Sequence, residues 1–303
     1  MRTTSAAAMD HGCPYPTVGG SRIDAPATSS PSPRPPDDRS SRARRYGTNV
    51  PVDPPARRFG APRPKSPVAP TTVAPHISLA TAALTWLVGW LGGNVAGGIV
   101  LSASGYSGRV AADRPAWVAV ASTIALWVPQ LIALGVVCKR FATGKPFVDF
   151  GLRFRPIDLV GIPIGVLSQL VLLRLVYWPL QAIWTDTFSN NQLEENAKDL
   201  YDTAHGGWLV ALVLVIVVGA PLVEELVYRG LLMGAARRRV NDILALAGVA
   251  AFFALIHFRP VEYPGLFAFG LVLGVCVLAT DRIGMGIVTH LAFNATALAL
   301  VAH

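Results

Sequence analysis

Long apolar stretches dominate this sequence and limit the folds it can adopt. Seven such runs follow one another, at about 78–102, 116–138, 157–184, 207–235, 241–257, 264–280 and 283–302. A helix of about 20 apolar residues is long enough to cross the hydrocarbon core of a bilayer. Only 15% of the residues are charged, whereas about a quarter are charged in a typical soluble domain. The sequence therefore predicts an all-α fold, a polytopic transmembrane bundle of about 7–8 helices.

The first 75 residues have a different composition. They hold 15 of the 24 prolines and 11 of the 26 Lys and Arg residues, and they show no apolar periodicity. A segment of this kind cannot bury enough apolar surface to offset its chain entropy. We predict a disordered, Pro/Arg-rich cytosolic tail at 1–75, followed by a transmembrane domain at 76–303.

The distribution of charge predicts the orientation and the environment. Basic residues cluster before the first run, after the second and after the fourth, whereas an acidic loop follows the third. By the positive-inside rule this predicts a multi-pass protein of the cell membrane with a cytoplasmic N-terminus. The net charge of +8 does not indicate nucleic-acid binding, because no basic stripe is interleaved with aromatic residues. The three scattered cysteines predict neither a disulfide framework nor a thiolate zinc site.

The stretch "VVGAPLVEELVYRG" places three charges at the end of a membrane-length run. A charged side chain near the bilayer centre costs roughly 2.5–3.5 kcal/mol on insertion scales. Glu225 and Arg229 are spaced i, i+4, so they can form an ion pair within their own helix. Glu224 is rotated about 100° from Glu225 and has no such partner. A carboxylate in that position is a candidate proton acceptor.

Polar residues in two later runs complete the candidate site. His257 ends the segment "FFALIH", and His290 and Asn294 share one helix face in "HLAFN". Taken singly, each has a structural explanation: an interface histidine, an interhelical amide contact, or an ion pair that holds two helices in register. Together they form a set that could activate water, in which Glu224 accepts a proton and His290 with Asn294 donates to an oxyanion.

The ordered motifs resemble those of the CPBP family of intramembrane proteases, which includes the CAAX prenyl endopeptidases. That family carries Glu-Glu-x-x-x-Arg, Phe-x-x-x-His and His-x-x-x-Asn motifs. Here they read "EELVYR" at 224–229, "FALIH" at 253–257 and "HLAFN" at 290–294, and the resemblance covers about 205–300. Tyr228 stands where the family usually has phenylalanine.

The resemblance implies a hydrolase that cleaves a peptide bond of a membrane-embedded or lipidated peptide substrate. It implies that Glu224 is the general base, that His257 acts with it on water, and that His290 and Asn294 stabilise the oxyanion. Glu225 and Arg229 would be supporting residues.

The resemblance leaves the cofactor open between a divalent metal such as zinc and no metal. The family is labelled metalloprotease, and a metal-free glutamate mechanism has also been argued for it. If a metal is used, Glu224, His257 and His290 are its candidate ligands, although the HExxH spacing of many zinc proteases is absent.

Two other functions remain open from the sequence. Carboxylates and histidines in a membrane also build the proton relays of transporters. A catalytically silent membrane scaffold is the other alternative, since a fold does not guarantee activity.

Overall fold

The computed structural model describes residues 77–189, 192–193, 198–199 and 201–302, so the tail predicted at 1–75 lies outside the described residues. Seven helical segments of 14 or more residues occur in this part of the chain. They are α1 (Leu79–Ala103), α2 (Ala116–Phe141), α3 (Pro156–Ile183), α4 (Gly207–Ala236), α5 (Asp242–Leu255), α6 (Pro260–Thr280) and α7 (Gly284–Val301).

Six of the seven segments are long and apolar enough to cross a membrane, and α5 is the exception among the described residues. Its 14 residues span only about 21 Å at 1.5 Å per residue, which is short of the roughly 30 Å hydrocarbon core. The predicted all-α, polytopic membrane fold is confirmed. The apolar run at 241–257 is, however, too short a helix to be counted among the membrane-length spans.

Both ends of α5 have a local cause. At its start the Asn241 side chain accepts a hydrogen bond from the backbone N–H of Leu244, which caps the helix. At its end the chain turns away after His257, where Phe258 adopts a left-handed conformation with φ 53°. Such a conformation is rare for a bulky residue, and it separates α5 from α6.

Glycines let α1 and α2 pack with their backbones close together. Gly89, Gly93 and Gly97 are buried along one side of α1. A Cβ atom at Gly93 would overlap the carbonyl oxygen of Leu126, and one at Gly97 would lie 3.4 Å from the carbonyl oxygen of Ser122. Small residues at such spacing are a common way for membrane helices to approach each other.

The backbone of α4 changes its hydrogen-bonding pattern on both sides of Pro221. Wider turns with i→i+5 bonds cover Leu214–Gly219 and Glu225–Met233. Within the first of them the N–H of Ala220 donates to the carbonyl of Val215. Pro221 has no N–H to continue this pattern toward Ile216. The Nδ2 of Asn294 on α7 instead donates to the Ile216 carbonyl at 2.9 Å, so α7 supplies the missing donor.

Several connecting segments meet at one end of the bundle. The buried Asp158 at the start of α3 pairs with Arg282, which lies between α6 and α7, at 2.5 Å between Oδ1 and Nη2. The N–H of Ile283 donates to the carbonyl of Gly151 at 3.0 Å. Arg237, just after α4, contacts both Asp242 and Asp281. The connections after α2, α4 and α6 therefore lie on the same side of the molecule.

Asp149 organises the connection between α2 and α3. Its carboxylate accepts hydrogen bonds from the Thr143 hydroxyl at 2.6 Å, from the backbone N–H of Thr143 and Lys145, and from the Cys138 thiol. Burial raises the pKa of Asp149, but these hydrogen bonds outweigh burial and the pKa lies below its ordinary value. The loop is thus held by an ionised carboxylate.

Candidate active site

Glu225 is a fully buried carboxylate at the centre of the bundle, with 0% of its side chain exposed. The predicted ion pair is present: Nη1 of Arg229 lies 3.0 Å from Oε1 of Glu225. The other terminal nitrogen of Arg229 donates to the carbonyl of Gly270 on α6 at 3.1 Å. A charge can be kept in such a place only with a partner and hydrogen bonds. The pair therefore fixes α4 against α6.

Gly286 on α7 makes room for this carboxylate. A Cβ atom at Gly286 would lie 2.9 Å from Oε2 of Glu225. That oxygen is buried and has no hydrogen-bond partner among the described residues. Gly286 thus allows α7 to approach Glu225 closely.

His290 on α7 lies between the two glutamates. Its Nδ1 is 3.2 Å from Oε1 of Glu225, and its Nε2 is 3.8 Å from Oε2 of Glu224. The first distance is that of a hydrogen bond, and the second is too long for one. Because Glu225 also holds Arg229, the imidazole is oriented by a chain of contacts from Arg229 through Glu225.

Glu224 has a different environment from its neighbour. Its side chain is 26% exposed, and it lines a cavity of about 210 Å³ together with His257. The other residues that line this cavity are Trp86, Trp90, Leu126, Trp127, Gln130, Val223, Val227, Tyr228 and Ile256. The predicted general base and the first predicted histidine therefore meet in one largely aromatic and aliphatic cavity.

The tautomer of His257 follows from its hydrogen bond. Its Nδ1 lies 2.7 Å from the backbone carbonyl of Phe253. Because a carbonyl oxygen can only accept, Nδ1 carries a proton and donates; in the neutral ring this leaves the lone pair of Nε2 free. Such a nitrogen can accept a hydrogen bond from a water molecule.

The aromatic residue of the "FALIH" motif connects the charged groups. The guanidinium of Arg229 lies 4.6 Å from the centre of the Phe253 ring. The ring centre of Phe253 is 4.8 Å from that of His257 and 6.1 Å from that of His290. Phe253 is buried, so it packs both imidazoles and receives a cation–π contact from the supporting arginine.

Asn294 lies one helical turn beyond His290 on α7. Its amide donates to the Ile216 carbonyl, as described above, and it is not among the residues that line the cavity. The structure thus brings Glu224, Glu225 and His290 into contact and places His257 in the same cavity as Glu224. It places Asn294 against the backbone of α4.

The candidate ligands do not fit a metal ion in this arrangement. No three His, Cys, Asp or Glu side chains within the described ranges come together in a way that could hold one. Glu224, His257 and His290 are therefore not assembled as a ligand set, and we derive no step through a metal.

Two groups near the site were not identified from the sequence. Phe253 is part of the "FALIH" motif without a role of its own there, and Gln130 on α2 lies outside all three motifs. Gln130 is the single amide of the apolar run at 116–138 and follows Pro129. An isolated amide in a membrane-length run is a usable signal, but its partner surface on α1 cannot be predicted from spacing.

The fold and the site together define a polytopic membrane protein with a carboxylate–histidine centre inside its helical bundle. Residues 206–296 match the family model described as type II CAAX prenyl endopeptidase Rce1-like. This segment contains all six residues predicted for the site, and the match confirms the resemblance seen in the motifs. No curated protein and no solved structure gives a significant match.

Proposed function

We propose that this protein is an intramembrane endopeptidase that hydrolyses a peptide bond of a membrane-associated or lipidated peptide. The observation that carries the proposal is the shared cavity of Glu224 and His257 within the segment that matches a protease family. A carboxylate and a neutral imidazole around one space can bind and deprotonate a water molecule.

In the proposed reaction Glu224 accepts a proton from a water molecule that also donates to Nε2 of His257. The water oxygen forms a bond to the carbonyl carbon of the substrate, and the carbonyl oxygen becomes an oxyanion. His290 stabilises that charge, and Asn294 supports the position of His290 by holding α7 against the Ile216 carbonyl of α4. The carbon–nitrogen bond then breaks, and protonated Glu224 gives its proton to the leaving amine.

Glu225 and Arg229 act as positioning residues in this scheme. Glu225 accepts from Nδ1 of His290 and is itself held by Arg229. The imidazole is therefore oriented before substrate binds, which avoids reorganisation during the reaction.

The test is cleavage by the purified full-length protein in liposomes. One probe is a fluorogenic peptide with a farnesylated cysteine near its C-terminus, and a second is a transmembrane peptide without a lipid. We expect Glu224→Gln and His257→Ala to lower the cleavage rate by about 10²-fold or more, the usual contribution of general acid–base catalysis. Asp242→Asn is the control, because Asp242 pairs with Arg237 and does not line the cavity.

Equal rates for the wild-type protein and Glu224→Gln on both probes would contradict the proposal. Thermal unfolding of each variant shows whether a lost activity reflects a lost fold. The same variant separates the alternatives. A scaffold would keep its cellular function in Glu224→Gln, and a transporter would show proton-coupled flux in liposomes that survives this substitution.

A further inference from the structure

Gln130 is a buried amide in the wall of the cavity that contains Glu224 and His257. It lies on α2, outside the segment 206–296 that matches the family model. Only 7% of the residue is exposed. The cavity is thus completed by a polar group from a part of the chain that carries none of the motifs.

The amide nitrogen of Gln130 lacks a hydrogen bond. Its Nε2 is buried and has no partner in the part of the chain that the structure describes. A buried donor that is left unpaired loses its hydration without compensation, so such groups are few in native proteins and call for an explanation. Because Gln130 lines the cavity, a ligand that brings a hydrogen-bond acceptor would satisfy this donor.

Two glycines of α1 make room for α2 at Gln130 and Pro129. A Cβ atom at Gly89 on α1 would lie 2.7 Å from Oε1 and 2.9 Å from Cδ of Gln130, and one at Gly92 would lie 3.0 Å from Cβ of Pro129. Only a glycine at 89 leaves space for the amide where it is. Gln130 is therefore held in place by α1, as a preorganised binding group would be.

The surroundings of the amide favour a neutral acceptor. Trp86 and Trp127 line the same cavity, and its titratable lining residues are Glu224, Tyr228 and His257. A backbone carbonyl is an obligatory acceptor that every peptide brings with it. Inside a protein a hydrogen bond between neutral groups is electrostatically stronger than in water.

We propose that Gln130 is a substrate-positioning residue, whose Nε2 donates a hydrogen bond to a backbone carbonyl oxygen of the peptide held in the cavity. The inference rests on the proposed function, since it assumes a peptide as the ligand. It assigns the first half of the membrane domain a direct part in binding.

The experiment compares Gln130→Met with Gln169→Met. Methionine keeps the length of glutamine and removes its donor. Gln169 on α3 also has a buried amide atom without a partner among the described residues, but it does not line the cavity. We expect Gln130→Met to raise KM for the farnesylated peptide by about 3- to 10-fold, as for loss of one neutral hydrogen bond. We expect a smaller change in kcat and no loss of thermal stability.

A second pair of measurements separates positioning from a purely structural role. Gln130→Asn keeps the amide and should recover part of the affinity, whereas Gly89→Ala displaces the amide and should raise KM although Gln130 is present. If Gln130→Met only lowered the unfolding temperature and left KM equal to that of Gln169→Met, the inference would be wrong.

Binding without turnover distinguishes this inference from the proposed function. In a Glu224→Gln background the dissociation constant of the fluorescent farnesylated peptide is measured by anisotropy in nanodiscs. Weaker binding in Gln130→Met, but not in Gln169→Met, supports Gln130 even if the wild-type protein cleaves no probe. Equal binding in both variants overturns it, even if Glu224-dependent cleavage is found.

Discussion

Two neighbouring residues, Glu224 and Glu225, have the same side chain and opposite environments. Glu225 is fully buried and held by Arg229 and His290, whereas Glu224 is 26% exposed and lines the cavity. The difference follows from their adjacent positions on one helix, which turn them toward different neighbours. A buried, fully engaged carboxylate is suited to fix other groups, and a partly exposed one is suited to meet substrate and water.

We expect Arg229→Ala to destabilise the protein by about 3–5 kcal/mol, because it leaves the charge of Glu225 buried without its cation. Arg229→Lys should recover only part of this loss, since a single ammonium group cannot replace the planar guanidinium that contacts both Glu225 and Gly270. Thermal unfolding in detergent micelles measures both effects.

Arg237→Ala is the control for the buried arginine. Its contacts with Asp242 and Asp281 are exposed, so its removal should cost at most about 1 kcal/mol. The double variant Arg229→Met with Glu225→Gln removes both buried charges and should be more stable than Arg229→Ala. An equal loss of stability in Arg229→Ala and Arg237→Ala would contradict the stabilising role of the buried pair of Arg229 and Glu225.

At the scale of elements, the short length of α5 determines where His257 lies. The helix begins beside Arg237, which contacts Asp242, and it ends after about 21 Å at 1.5 Å per residue. His257 therefore lies within the bundle instead of at its far end. Non-helical backbone at such a depth is tolerated where it is buried in protein or lines a cavity, and Ile256 and His257 do line one.

The close contact of α1 with α2 makes a second prediction. Gly93→Ala places a methyl group against the Leu126 carbonyl, so it should push the two helices apart. Trp86 and Trp90 on α1 and Gln130 on α2 line the cavity, so cleavage should fall together with thermal stability.

Gly98→Ala is the matched control on the same helix. A Cβ atom there meets nothing within 4 Å among the described residues. Alanine is favoured over glycine in a helix by roughly 0.5–1 kcal/mol, so this variant should be as stable as the wild-type protein or slightly more. Similar losses of cleavage and thermal stability for Gly93→Ala and Gly98→Ala would show that the contact between α1 and α2 at Gly93 is unimportant.

The loop between α2 and α3 predicts a pH dependence. The pKa of Asp149 lies below its ordinary value of 3.8, so the ionised carboxylate stabilises the folded state above that value. This contribution is lost as the pH falls through the lowered pKa of the folded state. The wild-type protein should exceed Asp149→Asn in unfolding temperature at pH 7, and the difference should shrink as the pH falls below 3.8. A difference that stays constant with pH would rule out this linkage.

At the scale of the whole molecule, the connecting segments that carry Lys and Arg residues lie at one end of the bundle. Lys139 and Arg140 end α2, and Arg237 and Arg282 follow α4 and α6. The contacts of Arg237 with Asp281 and of Arg282 with Asp158 show that these connections lie together. By the positive-inside rule this end is expected on the cytoplasmic side.

Cysteine labelling tests this orientation. In a Cys13→Ser background the two remaining cysteines, Cys138 and Cys276, are buried. A membrane-impermeant maleimide should label Ser107→Cys in intact cells and should label Lys145→Cys only after the membrane is permeabilised. The reverse pattern would show that the N-terminus lies outside.

The sequence predicted the features that depend on local composition and spacing. Apolar length predicted seven runs, of which six are membrane-length helices among the described residues, and the i, i+4 spacing identified the pair of Glu225 and Arg229. It did not predict that α5 stops at Leu255, because the turn depends on the conformation of Phe258. It also missed the pair of Asp158 and Arg282 and the position of Gln130 against Gly89, since these contacts join residues far apart in the chain and depend on packing.

The turn at Phe258 has a consequence for engineering this protein. A left-handed conformation costs a non-glycine residue roughly 1–2 kcal/mol, and Phe258 adopts it directly after His257. Glycine at this position would remove that strain and add freedom to the peptide that carries the imidazole. A screen that selects only for heat resistance would therefore favour Phe258→Gly while loosening the site, so activity must be selected together with stability.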